Sequence, residues 1–121
     1  VATIELQQVR PERIGRGRAR VCWGAGNGEG GELFDCTHRV DLDSGAVTTW
    51  RRAGATHLEP LFVARPGGTA DDDGVLLVPT LADSDETTVV GVLDARTMDC
   101  VAELRAPQIV PFGFHAAFSA A

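Results

Sequence analysis

The chain has 121 residues, which allows one domain, and its 44% hydrophobic and 23% charged content excludes a disordered or collagen-like polymer. Its apolar runs reach only about five residues, far short of the ~20 that a transmembrane helix needs. A formal charge of −6 at pH 7 argues against a nucleic-acid partner.

Residues 1–6 read as a strand from the first position, with neither an initiator Met nor a charged-then-apolar leader, so the expectation is a piece of a longer protein. Arg10, Arg13, Arg16, Arg18 and Arg20 follow without interleaved aromatics, which predicts a solvated loop face rather than a phosphate site. Residues 20–23 form a short strand candidate that runs into a Gly-rich loop over 24–31. Within it, Gly26-Asn27-Gly28-Glu29-Gly30-Gly31 matches the dinucleotide fingerprint only as a string. No helix follows to meet a pyrophosphate, and Glu29 and Glu32 would repel one. Residues 33–42 tend to alternate, Asp43-Ser44-Gly45 signals a turn, and residues 46–50 return as a second hairpin arm. Residues 61–64, 75–78, 88–93 and 100–104 are further β-rich runs. Asp71-Asp72-Asp73-Gly74 lacks the alternate oxygens and closing Glu of a calcium loop, which predicts a solvated turn. No window shows a helical stripe with caps, so the fold class is all-β. Cys22, Cys36 and Cys100 have no C-x-x-C spacing and read as reduced, half-buried thiols rather than a zinc site or disulfide framework.

Two strand–turn–strand units, one around Asp43-Ser44-Gly45 and one around Asp94, lie 51 positions apart in the pairing of Asp43 with Asp94. A period near 50 with several strands per unit suits a β-propeller blade, and two units are too few to close a propeller of about 4–8 blades. Glu5, Glu59 and His115 recur at spacings of 54 and 56, so the two carboxylates and the imidazole could converge on one axial site. His38, within a strand, and His57, in a loop, read as satisfied or exposed imidazoles.

The run Glu59-Pro60-Leu61-Phe62-Val63-Ala64-Arg65-Pro66-Gly67, with the acidic turn and apolar strand after it, resembles the signature of the carotenoid cleavage dioxygenase family. Val92-Leu93-Asp94-Ala95-Arg96-Thr97 and the closing Val110-Pro111-Phe112-Gly113-Phe114-His115 are similar to later motifs, and Ile4-Glu5-Leu6 with Arg10-Pro11 to an earlier one. The resemblance implies that residues 1–121 are the C-terminal portion, about two blades, of a seven-bladed β-propeller. It implies Fe(II) held by four histidines, of which His115 matches the last. Glu59 and Glu5 match two of the glutamates behind the ligands, with Glu59 partnering His115. His38 and His57 match no ligand, and the other three would lie upstream. Imidazole suits ferrous iron, and a carboxylate on its other nitrogen fixes the tautomer.

The resemblance further implies oxidative cleavage by O2 of a conjugated double bond in a carotenoid or apocarotenoid. It also leaves room for peripheral membrane association of the full-length protein. Phe112 stands where Tyr is usual, Leu58 where Gly or Ser is common, and Ala116-Ala117-Phe118 replaces the usual ending. These departures leave the subfamily open, including stilbene cleavage or isomerohydrolysis. The alternatives are a non-catalytic propeller segment serving binding or structure, and a free-standing small β-sandwich. The Glu59 carboxylate and His115 ring are expected to face each other, and Glu5 to point toward the same axis without its partner. These residues alone are expected neither to hold iron tightly nor to turn over.

Overall fold

The computed structural model describes residues 2–28, 33–84 and 87–120 and folds them into two antiparallel sheets. Strands β1 (Thr3–Gln8), β2 (Val21–Asn27), β3 (Cys36–Asp41) and β4 (Val47–Trp50) form the first as a simple meander. The second contains β5 (Ala55–His57), β6 (Leu61–Ala64), β7 (Gly74–Ala82), β8 (Thr88–Asp94) and β9 (Cys100–Arg105). Both β5 and β6 pair with β7, His57 opposite Thr80 and Leu61 opposite Leu77. Residues 58–60 therefore face only Val78 and Pro79, so β5 and β6 are one strand interrupted by a bulge. The all-β expectation holds among the described residues, the one departure being a 3-10 turn at Pro11–Arg13.

Strand β2 does not end at Trp23 but continues through Gly24 and Gly26 to Asn27. A Cβ on Gly24 would meet Ile4 Cγ1 at 2.5 Å, and one on Gly26 would meet His38 Cδ2 at 2.3 Å. These glycines are strand residues that let side chains of β1 and β3 close over β2. The remainder of the Gly-rich run, Glu29 to Glu32, lies outside the described residues, as do Val1, Asp85 and Glu86.

The internal repeat is present in the backbone, but two residues away from the Asp43–Asp94 pairing. Asp41 Oδ1 accepts the N–H groups of Asp43 and Ser44, as Asp94 Oδ1 accepts those of Arg96 and Thr97. Gly45 N–H donates to the Asp41 carbonyl and Met98 N–H to that of Asp94, at 2.8 and 2.9 Å. The matching positions are thus Asp41 and Asp94, each closing the last hairpin of its sheet. Both turns need a left-handed residue at the same place: Gly45 at φ 75° and Met98 at φ 66°. Glycine adopts this conformation without penalty, whereas Met98 is held in it by burial in the core.

The sheets pack face to face around Trp23, which has no exposed surface. Its ring stacks on Phe62 at 4.8 Å and 9°, and its indole N–H donates to the Ala95 carbonyl at 3.0 Å. Val21, Leu76, Val78, Leu93, Ala95 and Met98 complete the cluster, the valines and leucines each worth roughly 1.5–3 kcal/mol of burial.

A second junction is ionic and corrects one expectation. The acidic turn is not solvated, whereas the basic loop is a solvated face at Arg16, Arg18 and Arg20 and is tied down at Arg10 and Arg13. Asp71 accepts Arg13 Nε at 2.6 Å and the Arg20 backbone N–H at 2.8 Å. Asp72 lies between Arg39 of β3 and Arg96 of the second sheet, at 2.9 and 3.0 Å. Asp73 pairs with Arg65, and Arg10 donates to the carbonyls of Gly68 and Ala70. Burial raises the pKa of Asp72, but the hydrogen bonds from Arg96 and Arg39 outweigh it and hold the carboxyl below its ordinary range. The thiols also differ from one another: Cys22 is half-buried as expected, but Cys36 is buried and Cys100 exposed.

Candidate metal-ligand site

Beyond β9 the chain runs extended across the end of the second sheet. The Thr88 hydroxyl anchors it by accepting the Val110 N–H at 2.7 Å. This brings His115 to the bulge between β5 and β6, where Glu59 lies. A bulge turns one extra side chain out of the ladder's alternation, and here it presents a carboxylate that is only 5% exposed. Glu59 Oε2 accepts the Ala116 N–H at 2.6 Å, and Oε1 accepts the side-chain amide of Gln8 at 2.8 Å. His115 Nδ1 stands 3.5 Å from Oε1, within ion-pair distance and a few tenths of an ångström beyond an ordinary hydrogen bond. Leu58, Pro79, Val110 and Pro111 wall a small cavity of about 110 Å³ beside the pair.

The His115 side chain is 79% exposed, and its Nε2 has no partner among the described residues. One nitrogen facing a carboxylate and the other open is the arrangement a ligating histidine needs, so the residue fits one position of a metal site. Among the described residues, no group of three or more His, Cys, Asp or Glu could hold a metal ion. Glu5 is an exposed residue of β1, without a hydrogen-bond or ion-pair partner among the described residues. The structure brings Glu59 and His115 together and leaves Glu5 out of contact with them. Gln8 is the member of the cluster that no motif or spacing in the sequence marks.

The other two histidines are structural. His57 is fully buried, with Nε2 accepting the Arg52 N–H at 3.2 Å. Its proton is therefore on Nδ1, which donates to Thr37 Oγ1 at 2.8 Å. His38 Nδ1 meets Thr49 Oγ1 at 2.8 Å, and its Nε2 lies 3.4 Å from Cys36 Sγ. Burial, reinforced by Asp35, pushes the Cys36 thiol up to about 11, which leaves it inert as a nucleophile.

Burial lowers the pKa of His57 to about 4. The unfolded chain binds a proton near pH 6.5, so between there and pH 4 it takes up a proton that the fold refuses. Stability should fall by about 3 kcal/mol as pH drops through that window. Below it, protonation of Asp71 and Asp72, whose pKa values are lowered in the fold, should remove more. Urea midpoints measured from pH 7 to pH 3 check this. Burial also lowers the pKa of His38, so a His57→Gln chain should lose most but not all of the upper part of the dependence, and if it keeps that part whole the assignment is wrong.

The chain belongs to the retinal pigment epithelial membrane protein family, whose model matches residues 2–120. It is 32% identical to carotenoid cleavage dioxygenase 8 homolog A, chloroplastic, of Oryza sativa subsp. japonica, across 93% of this chain and 20% of that protein. It is 33% identical to the apocarotenoid-15,15'-oxygenase of Synechocystis sp., across 95% of this chain and 24% of that protein. The structure of cobalt-substituted Synechocystis ACO matches with a TM-score of 0.90 and 27% identity, over 98% of this chain and 26% of that one. The chain thus spans about a fifth to a quarter of the length of these relatives.

Proposed function

We propose that residues 1–121 are the C-terminal portion of an Fe(II)-dependent dioxygenase that cleaves a conjugated double bond of a carotenoid or apocarotenoid with O2. The observation that carries this reading is the Glu59–His115 pair, 3.5 Å apart, in a chain of this family. In it, the two sheets are two blades of a seven-bladed propeller, and the Asp41 and Asp94 turns mark the blade repeat. His115 would give iron its Nε2, and Glu59 would hold the ring through Nδ1 and raise its basicity. Glu5 would serve in the same way for a histidine outside this chain.

Ferrous iron, when bound, supplies the chemistry that joins O2 to the double bond, one oxygen atom going to each carbon to give two carbonyl products. The chain's own residues act around that step. Glu59 anchors the imidazole, the Ala116 N–H and the Gln8 amide fix Glu59, and the apolar wall of Leu58, Pro79 and Val110 keeps water from the carboxylate.

The test is to express the intact protein with Fe(II), supply a panel of carotenoids, apocarotenoids and stilbenes under 18O2, and identify the products. Paired carbonyl products from a carotenoid or apocarotenoid are expected. A protein that binds iron and oxidises none of them would overturn the reading.

A further inference from the structure

In β1 the ladder to β2 slips: Glu5 lies opposite Ala25, but Gln8 lies opposite Trp23. Leu6 and Gln7 share the single position facing Gly24, and Leu6 takes a left-handed φ of 51° to allow it. Trp23 faces the second sheet, so the extra residue puts Gln8 on that face as well. In an unbulged ladder Gln7 would stand there instead, whereas Gln7 here bonds the Ile4 carbonyl at the surface. The slip thus aims one particular amide at the second sheet, and its target is Glu59 Oε1, the oxygen that faces His115 Nδ1.

Resting on the reading of His115 as a metal ligand, we propose that Gln8 is a positioning residue for it. Its amide orients the Glu59 carboxylate so that the imidazole proton is held on Nδ1 and Nε2 is left as the free donor. A carboxylate with one oxygen bonded to the Ala116 N–H could still swing Oε1 away from the ring. The Gln8 N–H, arriving from the other sheet, removes that freedom. The bond also ties the first strands of the two sheets together at the height of the site. Displacement of one sheet against the other is therefore transmitted to the ring of His115.

The test needs no iron. Long-range 1H–15N correlation of the 15N-histidine-labelled, metal-free intact protein at about pH 8, where histidines of ordinary pKa are neutral, reads the tautomers of His115 and His57. In the wild-type chain His115 should be chiefly Nδ1–H. Gln8→Leu, which keeps bulk but removes the donor, should lower the Nδ1–H to Nε2–H ratio of His115 roughly fivefold. Gln8→Arg, which restores an N–H donor, should recover most of it. The His57 signal should stay Nδ1–H throughout and so report an intact fold. An unchanged His115 ratio in Gln8→Leu overturns the proposal, as does a wild-type His115 with no preference. If Gln8→Leu also disturbs His57, Gln8→Arg decides, and a ratio unlike wild type there overturns it.

The two readings fail separately. Product formation without tautomer control refutes the role of Gln8 alone. Tautomer control in a protein that forms no product refutes the dioxygenase alone.

Discussion

His115→Ala in the intact protein is expected to reduce oxidative cleavage by at least about 100-fold and to weaken Fe(II) binding in parallel. Removing the carboxylate behind a ligating histidine typically costs about 10–100-fold, so losing the ligand itself should cost no less. Glu59→Gln is the graded comparison. It keeps the shape and one oxygen, but it offers a neutral acceptor or an amide N–H where Nδ1 needs an anion. An effect of about 10–100-fold is expected from it, on metal affinity and turnover together. Iron titration with product analysis of both variants separates the roles, and equal wild-type affinity in His115→Ala would remove this residue from the site. Glu59 is buried and bonded on both oxygens, so each variant should also be checked by its melting temperature.

Trp23→Ala is expected to cost about 3–5 kcal/mol of folding stability. The residue is fully buried between the sheets, and its removal leaves a cavity against Phe62 and an unpaired Ala95 carbonyl. Trp23→Phe separates these contributions. It retains a ring to stack but gives up the indole N–H, and the orphaned carbonyl alone should cost about 1–3 kcal/mol. Denaturant unfolding followed by the fluorescence of Trp50 measures both. A loss below about 1 kcal/mol in Trp23→Ala would mean that the stacked pair does not hold the two sheets together. Stabilities of single domains are about 5–15 kcal/mol, so Trp23→Ala would spend a large share of the total.

What the sequence discloses depends on how local the controlling interaction is. Strand periodicity, hairpin turns and the absence of helices are set by near neighbours, and an all-β chain could be read directly. The repeat was visible through its turn chemistry, but Asp43 resembles Asp94 as well as Asp41 does. Only the carbonyl that accepts from Gly45 or Met98 picks the right one. Gly24 and Gly26 looked like loop residues because their purpose, room for Ile4 and His38, belongs to the neighbouring strands. The acidic turn and the basic loop, each taken alone, suggested solvent. Asp71 and Asp72 find their arginines 24 to 58 positions away, at a separation no local pattern encodes.

At the candidate site, Glu5, Glu59 and His115 were picked out by spacing and family resemblance. The contact between the last two needed the bulge at residues 58–60 and the anchored tail. Gln8 was invisible because its direction is set by a one-residue slip in a ladder, and a slip leaves no mark on composition or period.

The paired turns at Gly45 and Met98 show the same backbone demand met in two ways, and their weaknesses are accordingly opposite. At Gly45 the conformation is carried by the residue's own freedom, so the turn would keep its shape even if the neighbouring packing loosened. At Met98 the shape is borrowed from the core: the buried side chain keeps the backbone in a conformation it would otherwise leave. A disturbance deep between the sheets should therefore surface first at the β8–β9 hairpin, while the β3–β4 hairpin remains unaware of it.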